Sequence, residues 1–553
     1  MSHTRRRFLQ SAATTSALAA AGISTGARAS AQSSLDNFPG SSSPEPVTIP
    51  LGELPFLHGV ASGDPLPNTV MLWTRVTPSA EAMPGSGIGE DVTLAWDVAR
   101  DAEFASVVVS GRVVATSAAD HTVHVDPYGL DADTTYFYRF TVVDGPHAGK
   151  VSPVGRTVTA PLLDSSPDSL RFAVASCANW EGGFYTAYGD MARRGRDGEL
   201  DFVLFLGDYL YEYASGGFSG FGPYRLHEPA HEIISLADYR TRYGQSHTDP
   251  NLQAAHAALP WIVVWDDHET ANNSWRDGAE NHDPATEGDW GARRAAAMQA
   301  YFEWLPVRAT NPSQGGHIYR SFQFGDLADL VVMDLRTYRD KEAQTLRLDQ
   351  FNDPNRTMLG SEQSEWLNAK IATSDAAWTI MGNSVMFSPL NLITLQENPD
   401  TSSIVDFLGE HRIEGIPLNG DQWDGYSAER RRLLDTLGNQ GSKVLFCTGD
   451  IHTEWGHVIN WNGREIGAEV VCGSITAANV NEFIKLPEDN PISHLGEELL
   501  RLANPHLRHV DLDAHGYATV SLDRRGVDAQ WLRVAGIADP NSGVGVGHAW
   551  RWN

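Results

Sequence analysis

Cysteine is nearly absent from this chain, which has only three in 553 residues. Three scattered cysteines do not supply the paired framework of a disulfide-stabilised fold. Basic residues are also scarce, because 41 Lys and Arg stand against 70 Asp and Glu, which gives a formal net charge of −29. A field of this sign repels nucleic acids and anionic bilayers, so polymeric DNA or RNA is not an expected partner.

Long apolar runs are missing as well. After the N-terminal segment, no stretch reaches the roughly 20 apolar residues that cross a bilayer, so no transmembrane segment is predicted. The composition is otherwise that of a folded protein, with 41% hydrophobic and 20% charged residues. A chain of this length exceeds what one hydrophobic core usually organises, which predicts two or three domains.

Residues 1–29 are predicted to be a targeting segment. A basic start, Arg5-Arg-Arg-Phe-Leu9, precedes an Ala-rich stretch and the A-x-A cleavage site Ala27-Arg-Ala29. The order Arg-Arg-x-Phe-Leu resembles a twin-arginine signal, which hands a folded protein to the twin-arginine export machinery. The expected location is therefore periplasmic or extracellular. A general secretory signal with a basic start is the alternative.

The composition and the hydrophobic pattern of the mature chain change along its length. Residues 30–50 are rich in Ser and Pro and are predicted to be a linker. Short apolar runs divided by Gly, Pro and Asp turns predict an all-β sandwich for residues 51–161. Its segment Leu130–Tyr138 resembles the end of a fibronectin type III domain. From residue 169 to 535, strand-like and helix-like segments alternate, which predicts one large α/β domain.

Two flexible segments are candidates for covering a site. The first is the glycine-rich loop within residues 214–231, which lies directly after an acidic cluster and is interpreted as a candidate lid. The second is the aromatic tail 536–553, interpreted as a candidate cover of the site. A surface loop without a role and a disordered end are the respective alternatives.

Chemistry-bearing residues follow three apolar runs that read as buried strands. Ligands in open α/β sheets bind at the carboxyl ends of the strands, and Asp, His and Tyr are ligands for hard or borderline metals. The three clusters are Gly207-Asp-x-x-Tyr211, Asp266-Asp-His-Glu269 and Gly449-Asp-Ile-His452.

Each cluster has a functional and a structural interpretation. A phenolate such as that of Tyr211 favours ferric iron, whereas a helix-capping Asp208 and a packed tyrosine ring are the alternative. In the second cluster, one acid is expected to bind metal while His268 acts as proton donor or oxyanion stabiliser; an exposed acidic turn is the alternative. Cys177, at another strand end, is either an iron-binding thiolate or an inert core residue.

The clusters together carry a family resemblance. Ser176-Cys177, Gly207-Asp-x-x-Tyr211, Trp265-Asp-Asp-His-Glu269 and Gly449-Asp-Ile-His452 occur in the order seen in PhoD-type alkaline phosphatases and phosphodiesterases, members of the calcineurin-like metallophosphoesterase superfamily. The stretch Phe56–Pro65 resembles the N-terminal domain of that family. The resemblance covers nearly the whole mature chain. It implies a four-layer α/β/β/α catalytic domain preceded by the sandwich.

The resemblance also implies a metal centre of Fe³⁺ with one or two Ca²⁺, or other divalent metals. Cys177 and Tyr211 are expected to bind iron, and His452 to complete the iron side. Asp208 is expected to bridge the ions and so to take part in catalysis.

The remaining site residues follow from the same resemblance. His268 matches the catalytic histidine, and Asp267 matches a second-metal ligand. Asp450 stands where relatives have a histidine, and its oxygen suits calcium over zinc. Asn383 is a looser match to another second-metal ligand, and Asp266 ranks below Asp267 as a ligand.

The predicted function is that of a secreted, metal-dependent phosphoesterase. A metal-bound hydroxide or oxygen is expected to attack the phosphorus of phosphate monoesters, diesters or both. Phospholipase D-type hydrolysis of phospholipids is the first alternative, since such activity is known among proteins resembling this family. A secreted binding protein with structural calcium is the remote alternative, although it would not require Cys177, Tyr211 or His268.

Overall fold

A computed structural model describes residues 53–344, 347–393, 416–417 and 419–553 of the chain. The predicted signal segment 1–29 and linker 30–50 lie outside the described residues. Among those described, none of the helices combines the length and apolarity needed to cross a membrane. The strands are β1 (Val60–Leu66), β2 (Thr69–Arg75), β3 (Val92–Ala99), β4 (Val107–Ala115), β5 (Thr122–Val125), β6 (Thr135–Val142), β7 (Gly155–Val158), β8 (Ser169–Ala175), β9 (Phe202–Leu206), β10 (Pro260–Val264), β11 (Arg320–Phe324), β12 (Ala328–Val332), β13 (Trp378–Asn383), β14 (Asn391–Ile393), β15 (Ile416–Pro417), β16 (Lys443–Thr448), β17 (Glu454–Trp461), β18 (Arg464–Val471), β19 (Leu507–Asp511), β20 (Gly516–Asp523), β21 (Val527–Val534) and β22 (Val544–Trp552). The helices are α1 (Thr186–Arg196), α2 (Leu236–Ser246), α3 (Pro250–Ala258), α4 (Pro284–Glu287), α5 (Trp290–Trp304), α6 (Leu348–Phe351), α7 (Gly360–Thr373), α8 (Ser427–Gln440), α9 (Val480–Phe483) and α10 (Pro491–Ala503).

Two large sheets organise the described part of the chain. One has the strand order β22-β21-β20-β8-β9-β10-β1-β2-β5, and the other β11-β12-β13-β16-β18-β17-β19. In the centre of each sheet, four neighbouring strands run parallel: β8, β9, β10 and β1 in the first, and β12, β13, β16 and β18 in the second. Strands β9 and β10, whose residues are all buried, are continuous apolar runs, as expected for strands covered on both faces.

The layers are helix, sheet, sheet and helix. Side chains of both sheets share one core, in which Phe202 stacks on Phe172 at a ring-centroid distance of 4.8 Å and on Phe324 at 5.3 Å. Helices α1, α2, α3 and α5 contribute to the core on the outer side of the first sheet. Helices α7 and α8 cover the outer side of the second sheet through residues such as Leu367 and Leu433. The predicted four-layer α/β/β/α architecture is therefore confirmed.

The N-terminal sandwich shares a sheet with the α/β part of the chain. A four-stranded sheet of order β4-β3-β6-β7 packs against β1, β2 and β5 through a common core that includes Leu72, Leu94 and Tyr138. Strands β1, β2 and β5 belong to the large first sheet, and β1 pairs in parallel with β10 at Ser62 and Pro260. The sandwich is thus joined to the next layer by backbone hydrogen bonds rather than only lying beside it.

The C-terminal tail has a different place from the one expected. Residues 544–552, predicted as part of a flexible cover, pair with β21 along their length and form the edge strand β22. Trp552 of this strand is buried and belongs to the core between the two sheets. The expectation that this stretch is flexible is therefore wrong, because it is an edge strand, and its role as a cover of the site stays a prediction.

Candidate metal centre

The predicted site residues lie where the parallel strands of both sheets end. Cys177 follows β8, Asp208 follows β9, the acidic cluster from Asp266 follows β10, and Asp450 follows β16. Backbone hydrogen bonds join neighbouring strand ends, such as that from the Cys177 amide to the Gly207 carbonyl (3.1 Å). The two parallel quartets thus bring four separate chain segments to one place.

The backbone at this place is unusual. Cys177, Asp208, Asp450 and His452 have positive φ angles of 63°, 58°, 65° and 63°. Such a left-handed conformation costs an L-residue roughly 1–2 kcal/mol. Four predicted ligands in this conformation point to a constraint from the site, since helices and strands do not require it.

Gly207 shows why the turn before Asp208 needs glycine. Its φ is +101°, and a Cβ at this position would lie 2.4 Å from the Cβ of Asp266. The turns after β9 and β10 therefore touch through a backbone contact that no side chain permits. This close approach brings the carboxylates of the two clusters together.

One side of the centre gathers a thiol, a phenol, an imidazole and a carboxylate. The Tyr211 hydroxyl lies 3.0 Å from an Asp208 oxygen and 3.0 Å from Nε2 of His452. His452 donates its Nδ1 proton to the Ala478 carbonyl at 2.8 Å, which leaves Nε2 with its lone pair facing the site. Ligand atoms of Cys177, Asp208 and His452 all lie within 4.8 Å of one another. These are the residues for which the sequence predicted an iron side.

The other side is rich in carboxylates. Ligand atoms of Asp266, Asp267 and Asp450 lie within 4.8 Å of one another, and those of Asp208, Asp267 and His268 form a further group. Asp208 and Asp267 therefore each belong to two of the groups found among the described residues. A bridging position for Asp208 was the prediction, and its place in the centre of this arrangement is consistent with it.

Two glutamates organise the centre from behind. Nδ1 of His268 donates to Glu212 Oε2 at 2.7 Å, and the other oxygen of Glu212 accepts from Asn281 Nδ2 at 2.7 Å. Glu269 accepts from the backbone amides of Asp208 and Asp266 at 3.1 and 2.8 Å. Glu212 fixes the imidazole, and Glu269 ties the two strand ends together.

Burial sets the protonation of the centre. It raises the pKa of Asp208 and of Asp450 well above the usual range. Burial and the neighbouring Asp208 likewise raise the pKa of the Cys177 thiol and of the Tyr211 phenol. Such groups become anionic only when a cation offsets the cost of desolvation, so metal binding and proton release are linked at this site.

His268 differs from His452 in charge. Burial lowers the pKa of His452 to about 4, which keeps this ring neutral and able to bind a metal. Burial acts in the same direction on His268, but the carboxylates of Asp267 and Glu212 outweigh it and raise its pKa well above the ordinary value. One histidine therefore suits ligation and the other suits proton donation.

The residues present fit bound cations. One oxygen of Asp208 and one of Asp267 are buried and have no hydrogen-bond partner. The single phenolic proton of Tyr211 faces two acceptors at 3.0 Å, where a cation would hold all three side chains at once. Buried anions without partners are costly, and a cation removes that cost.

Asn383 is buried at the end of β13, but its amide is engaged by other protein groups. Its Oδ1 accepts from the Trp423 indole at 2.8 Å, and its Nδ2 donates to Thr448 Oγ1 at 3.0 Å and to the Val385 carbonyl. These bonds give Asn383 a role in joining strand ends, and a metal-ligand role stays a prediction.

The glycine-rich loop is pinned rather than free. Arg242 is buried and donates to the carbonyls of Tyr211, Tyr213 and Pro229, while Glu181 accepts from the Gly216 amide at 2.7 Å. The loop was interpreted as a candidate flexible lid because it is rich in glycine. The structure instead fixes its ends by buried charges, a signal that lies outside the loop sequence.

The loop places aromatic rings over the centre. Phe218 stacks on Tyr211 at 5.5 Å and lies 6.3 Å from the His268 ring, measured between centroids. Phe483 of α9 lies 5.7 Å from Phe218, and both Phe483 and Phe221 are about two-fifths exposed. Aromatic side chains therefore line the Cys177–Tyr211–His452 side of the centre and extend to the protein surface.

Sequence reasoning missed several residues of the centre. Glu212 lies directly after Tyr211, and Arg336 lies just beyond β12 with its guanidinium 2.6 Å from Asp266. Asp421 and Arg339 complete an ion-pair network around Arg336. The run Asp334-x-Arg336-x-x-Arg339 after a buried strand follows the same strand-end pattern as the other clusters, so it was detectable.

The family models and similar proteins agree with each other. Residues 172–531 match the family model for PhoD-like phosphatase, and residues 41–161 match that for the PhoD-like phosphatase N-terminal domain. Alkaline phosphatase D of Bacillus subtilis (strain 168) is 34% identical over 504 residues, which cover 89% of this chain and 79% of that protein.

Solved structures give the same result at the level of the fold. A structure of PhoD is 34% identical, with a TM-score of 0.79 and 91% of each chain covered. A purple acid phosphatase, PPD1, isolated from yellow lupin (Lupinus luteus) seeds, is 11% identical, with a TM-score of 0.51 over 90% of this chain and 74% of that chain. The purple acid phosphatase shares the fold, and at this identity it shows nothing more.

Proposed function

The chain belongs to the PhoD-like phosphatase family and is a phosphatase of the hydrolase class, and we propose that it cleaves phosphate esters at the buried centre described above. The observation that carries this proposal is the position of Asp208. One of its oxygens lies 3.0 Å from the Tyr211 hydroxyl, and the other is buried without a hydrogen-bond partner. A carboxylate so placed is suited to hold two cations at once.

The ligand sets differ in chemistry, which supports Fe³⁺ on one side and Ca²⁺ on the other. Cys177, Tyr211 and His452 offer sulfur, phenol oxygen and imidazole nitrogen, a set typical of iron. Asp267 and Asp450 offer carboxylate oxygens, which calcium prefers. When bound, these cations would neutralise the phosphoryl oxygens and make a bound water more acidic.

The protein's own residues supply proton transfer and orientation. Glu212 holds Nδ1 of His268 at 2.7 Å, so the opposite nitrogen of the ring faces the centre beside Asp208 and Asp267. A charged imidazole in this position donates its proton to the oxygen of the departing alcohol. Phe218 and Phe483 exclude water from the iron side of the reaction.

The aromatic rings also bear on the substrate. A monoester presents a small and strongly charged phosphoryl group, whereas a diester carries a second organic group that needs apolar surface. Phe221 and Phe483 offer such surface at the rim of the site. We favour esters with an apolar or aromatic organic group, including diesters, and keep phospholipid headgroup cleavage as the second candidate because the same rim would accept acyl chains.

One experiment separates these substrates. Turnover of an aryl phosphate, an aryl phosphodiester and phosphatidylcholine vesicles is measured on a single preparation of known metal content. We expect hydrolysis of at least one aryl ester, loss of that activity on chelation and its return when Fe³⁺ and Ca²⁺ are restored. Full activity in protein stripped of metal would refute the proposal, and hydrolysis of phosphatidylcholine alone would establish the second candidate.

Export through the twin-arginine route is part of the proposal and rests on Arg5-Arg-Arg-Phe-Leu9. Changing Arg5 and Arg6 together to Lys should trap the precursor inside the cell, because the route reads the arginine pair itself. The measurement is the distribution of the full-length protein between cell and medium or periplasm. Unchanged export of the double variant would favour the general secretory route.

A further inference from the structure

Arg336 lies inside the acidic side of the centre. Its guanidinium is buried and binds Asp266 with two parallel bonds, from Nε to Oδ1 at 2.6 Å and from NH2 to Oδ2 at 2.8 Å. Both oxygens of Asp266 are therefore used by one arginine. This fork-to-fork contact is the strongest geometry available to an arginine and a carboxylate.

The opposite edge of the guanidinium is also fixed. NH1 of Arg336 donates to Asp421 Oδ2 at 2.8 Å, and Arg339 donates to the other oxygen of Asp421 at 2.6 Å. Arg339 is held in turn by the Ser274 carbonyl at 2.9 Å. The position of Arg336 is thus set from two directions by buried groups, and a rotamer change would break several charged bonds at once.

The remaining face of Arg336 points to the other carboxylates of the site. NH2 lies 3.5 Å from Asp450 Oδ1 and 3.7 Å from Asp267 Oδ1. Asp266, Asp267 and Asp450 together form one of the groups whose oxygens are close enough for a common ion. Arg336 contacts all three members of that group.

A divalent ion and this guanidinium would compete for the same oxygens. Calcium needs its ligand oxygens at about 2.3–2.6 Å, so an ion shared by Asp266 and Asp450 would sit directly beside NH2 of Arg336. The guanidinium keeps its charge at every pH that a protein tolerates, so it cannot yield by losing a proton. The two cations would repel each other in a buried place.

We propose that Arg336 is the resident cation of the Asp266–Asp267–Asp450 group and takes the place that a divalent ion would otherwise have there. Asp266 is then a positioning residue for Arg336 and not a metal ligand. Metal ions bind on the two sides of Asp208, as proposed above, and none binds between Asp266 and Asp450. This inference rests on the proposed function for the presence of cations at all.

The experiment counts metal ions and does not depend on turnover. Wild-type protein and the R336M variant are stripped, saturated with Fe³⁺ and Ca²⁺, desalted and measured by plasma mass spectrometry per chain. R336M should hold about one divalent ion more than wild type, because three carboxylates lose their guanidinium partner and a divalent ion replaces it. R336K, which keeps a cation in place, should match wild type.

Two further variants control the result. Arg320 is largely buried and binds Asp64 through the same pair of donors, at 2.9 and 2.7 Å, in a different part of the chain. R320M should leave the ion count unchanged, which shows that losing a buried arginine is not sufficient. D266N should also leave the count unchanged, and it keeps the inference testable if R336M fails to fold.

Two outcomes would overturn the inference. One is a folded R336M that binds no additional ion at saturating calcium. The other is a D266N variant that loses an ion relative to wild type, since that would make Asp266 a ligand. The visible absorption of the iron side is recorded in the same samples. A wild-type protein that binds no metal at all would refute the proposed function instead, so the two failures are distinguishable.

Discussion

The two sides of the centre bury negative charge in different ways. Around Cys177, Tyr211 and His452, burial raises the pKa of the thiol and of the phenol and lowers the pKa of the histidine. Around Asp266 and Asp421, the carboxylates are paired with arginines inside the fold. On the first side, only a bound metal would neutralise the buried negative charge. On the second side, the arginines of the protein neutralise part of it.

This difference explains the ionisation of neighbouring carboxylates. The pKa of Asp208 is raised by burial, whereas that of Asp421 is lowered, because Arg336 and Arg339 outweigh its burial. The unpaired acids on one side can bind a highly charged cation tightly. The carboxylates paired with arginine on the other side do not bind additional cations. The predictions below test that division.

Replacing the bridge should have the largest effect. D208A removes a carboxylate that belongs to both sides, so both metals should be lost and kcat should fall by roughly 10³-fold or more, the equivalent of several kcal/mol of cation stabilisation. Metal analysis and aryl ester turnover measure this. D64A, which removes another buried carboxylate, in strand β1, should keep its metal. Retention of full activity by D208A would contradict the division and the proposed function together.

Y211F should affect only the iron side. The variant loses the phenol that touches Asp208 and His452, so kcat should fall by about 10²-fold and any visible tyrosinate-to-iron absorption should disappear. Calcium content should stay at the wild-type value. Y213F, two residues further along the same loop, is the matched control and should keep the absorption. An unchanged spectrum in Y211F would place the absorbing ligand elsewhere.

E212Q tests the partner of His268. Glutamine has the same shape, but it cannot hold the Nδ1 proton as a carboxylate does, so kcat should fall by about 10-fold to 100-fold with little change in KM. Metal content and visible absorption should both remain, which separates a positioning role from a structural one. An equal loss of metal and of turnover would assign Glu212 to folding of the centre.

The smallest effect is expected for the aromatic rim. F218A removes a ring that stacks on Tyr211 at 5.5 Å and leaves the carboxylate side untouched. The loss of roughly 1 kcal/mol of apolar contact should raise KM for an aryl diester about fivefold. KM for a small alkyl monoester should change less. Equal changes in KM for all substrates would mean that Phe218 stabilises the loop and does not contact the organic group of the ester.

Much of the centre was predictable because its residues lie at the ends of apolar strands. Cys177, Asp208, Tyr211 and His452 were predicted as one group, and the structure brings them together. The strand pattern and a resemblance of motifs were sufficient for that. The alternation of strands and helices predicted a large α/β domain. Its four-layer form was implied by the family resemblance.

The ion pairs of Arg336 were not predicted because its partners are far from it in sequence, although the run that contains Arg336 follows a buried strand. Arg336 reaches Asp266 across 70 positions and Asp421 across 85. Ion pairs of this kind depend on how the second sheet packs against the first. The hydrophobic periodicity of the sequence does not specify that packing. The pairing of β1 with β10 was not predicted for a similar reason, because the two strands are nearly 200 residues apart in sequence.

The seam between β1 and β10 has a consequence for the modularity of the protein. A catalytic fragment cut after residue 161 would leave β10 as a bare edge of a parallel sheet, with its amides and carbonyls open to any passing strand. Such a fragment would be prone to aggregation. A sandwich domain from another protein would cover this edge only if its strand paired with β10 in the register that Ser62 has here. The N-terminal strands and the α/β part of the chain therefore form one structural unit at this junction.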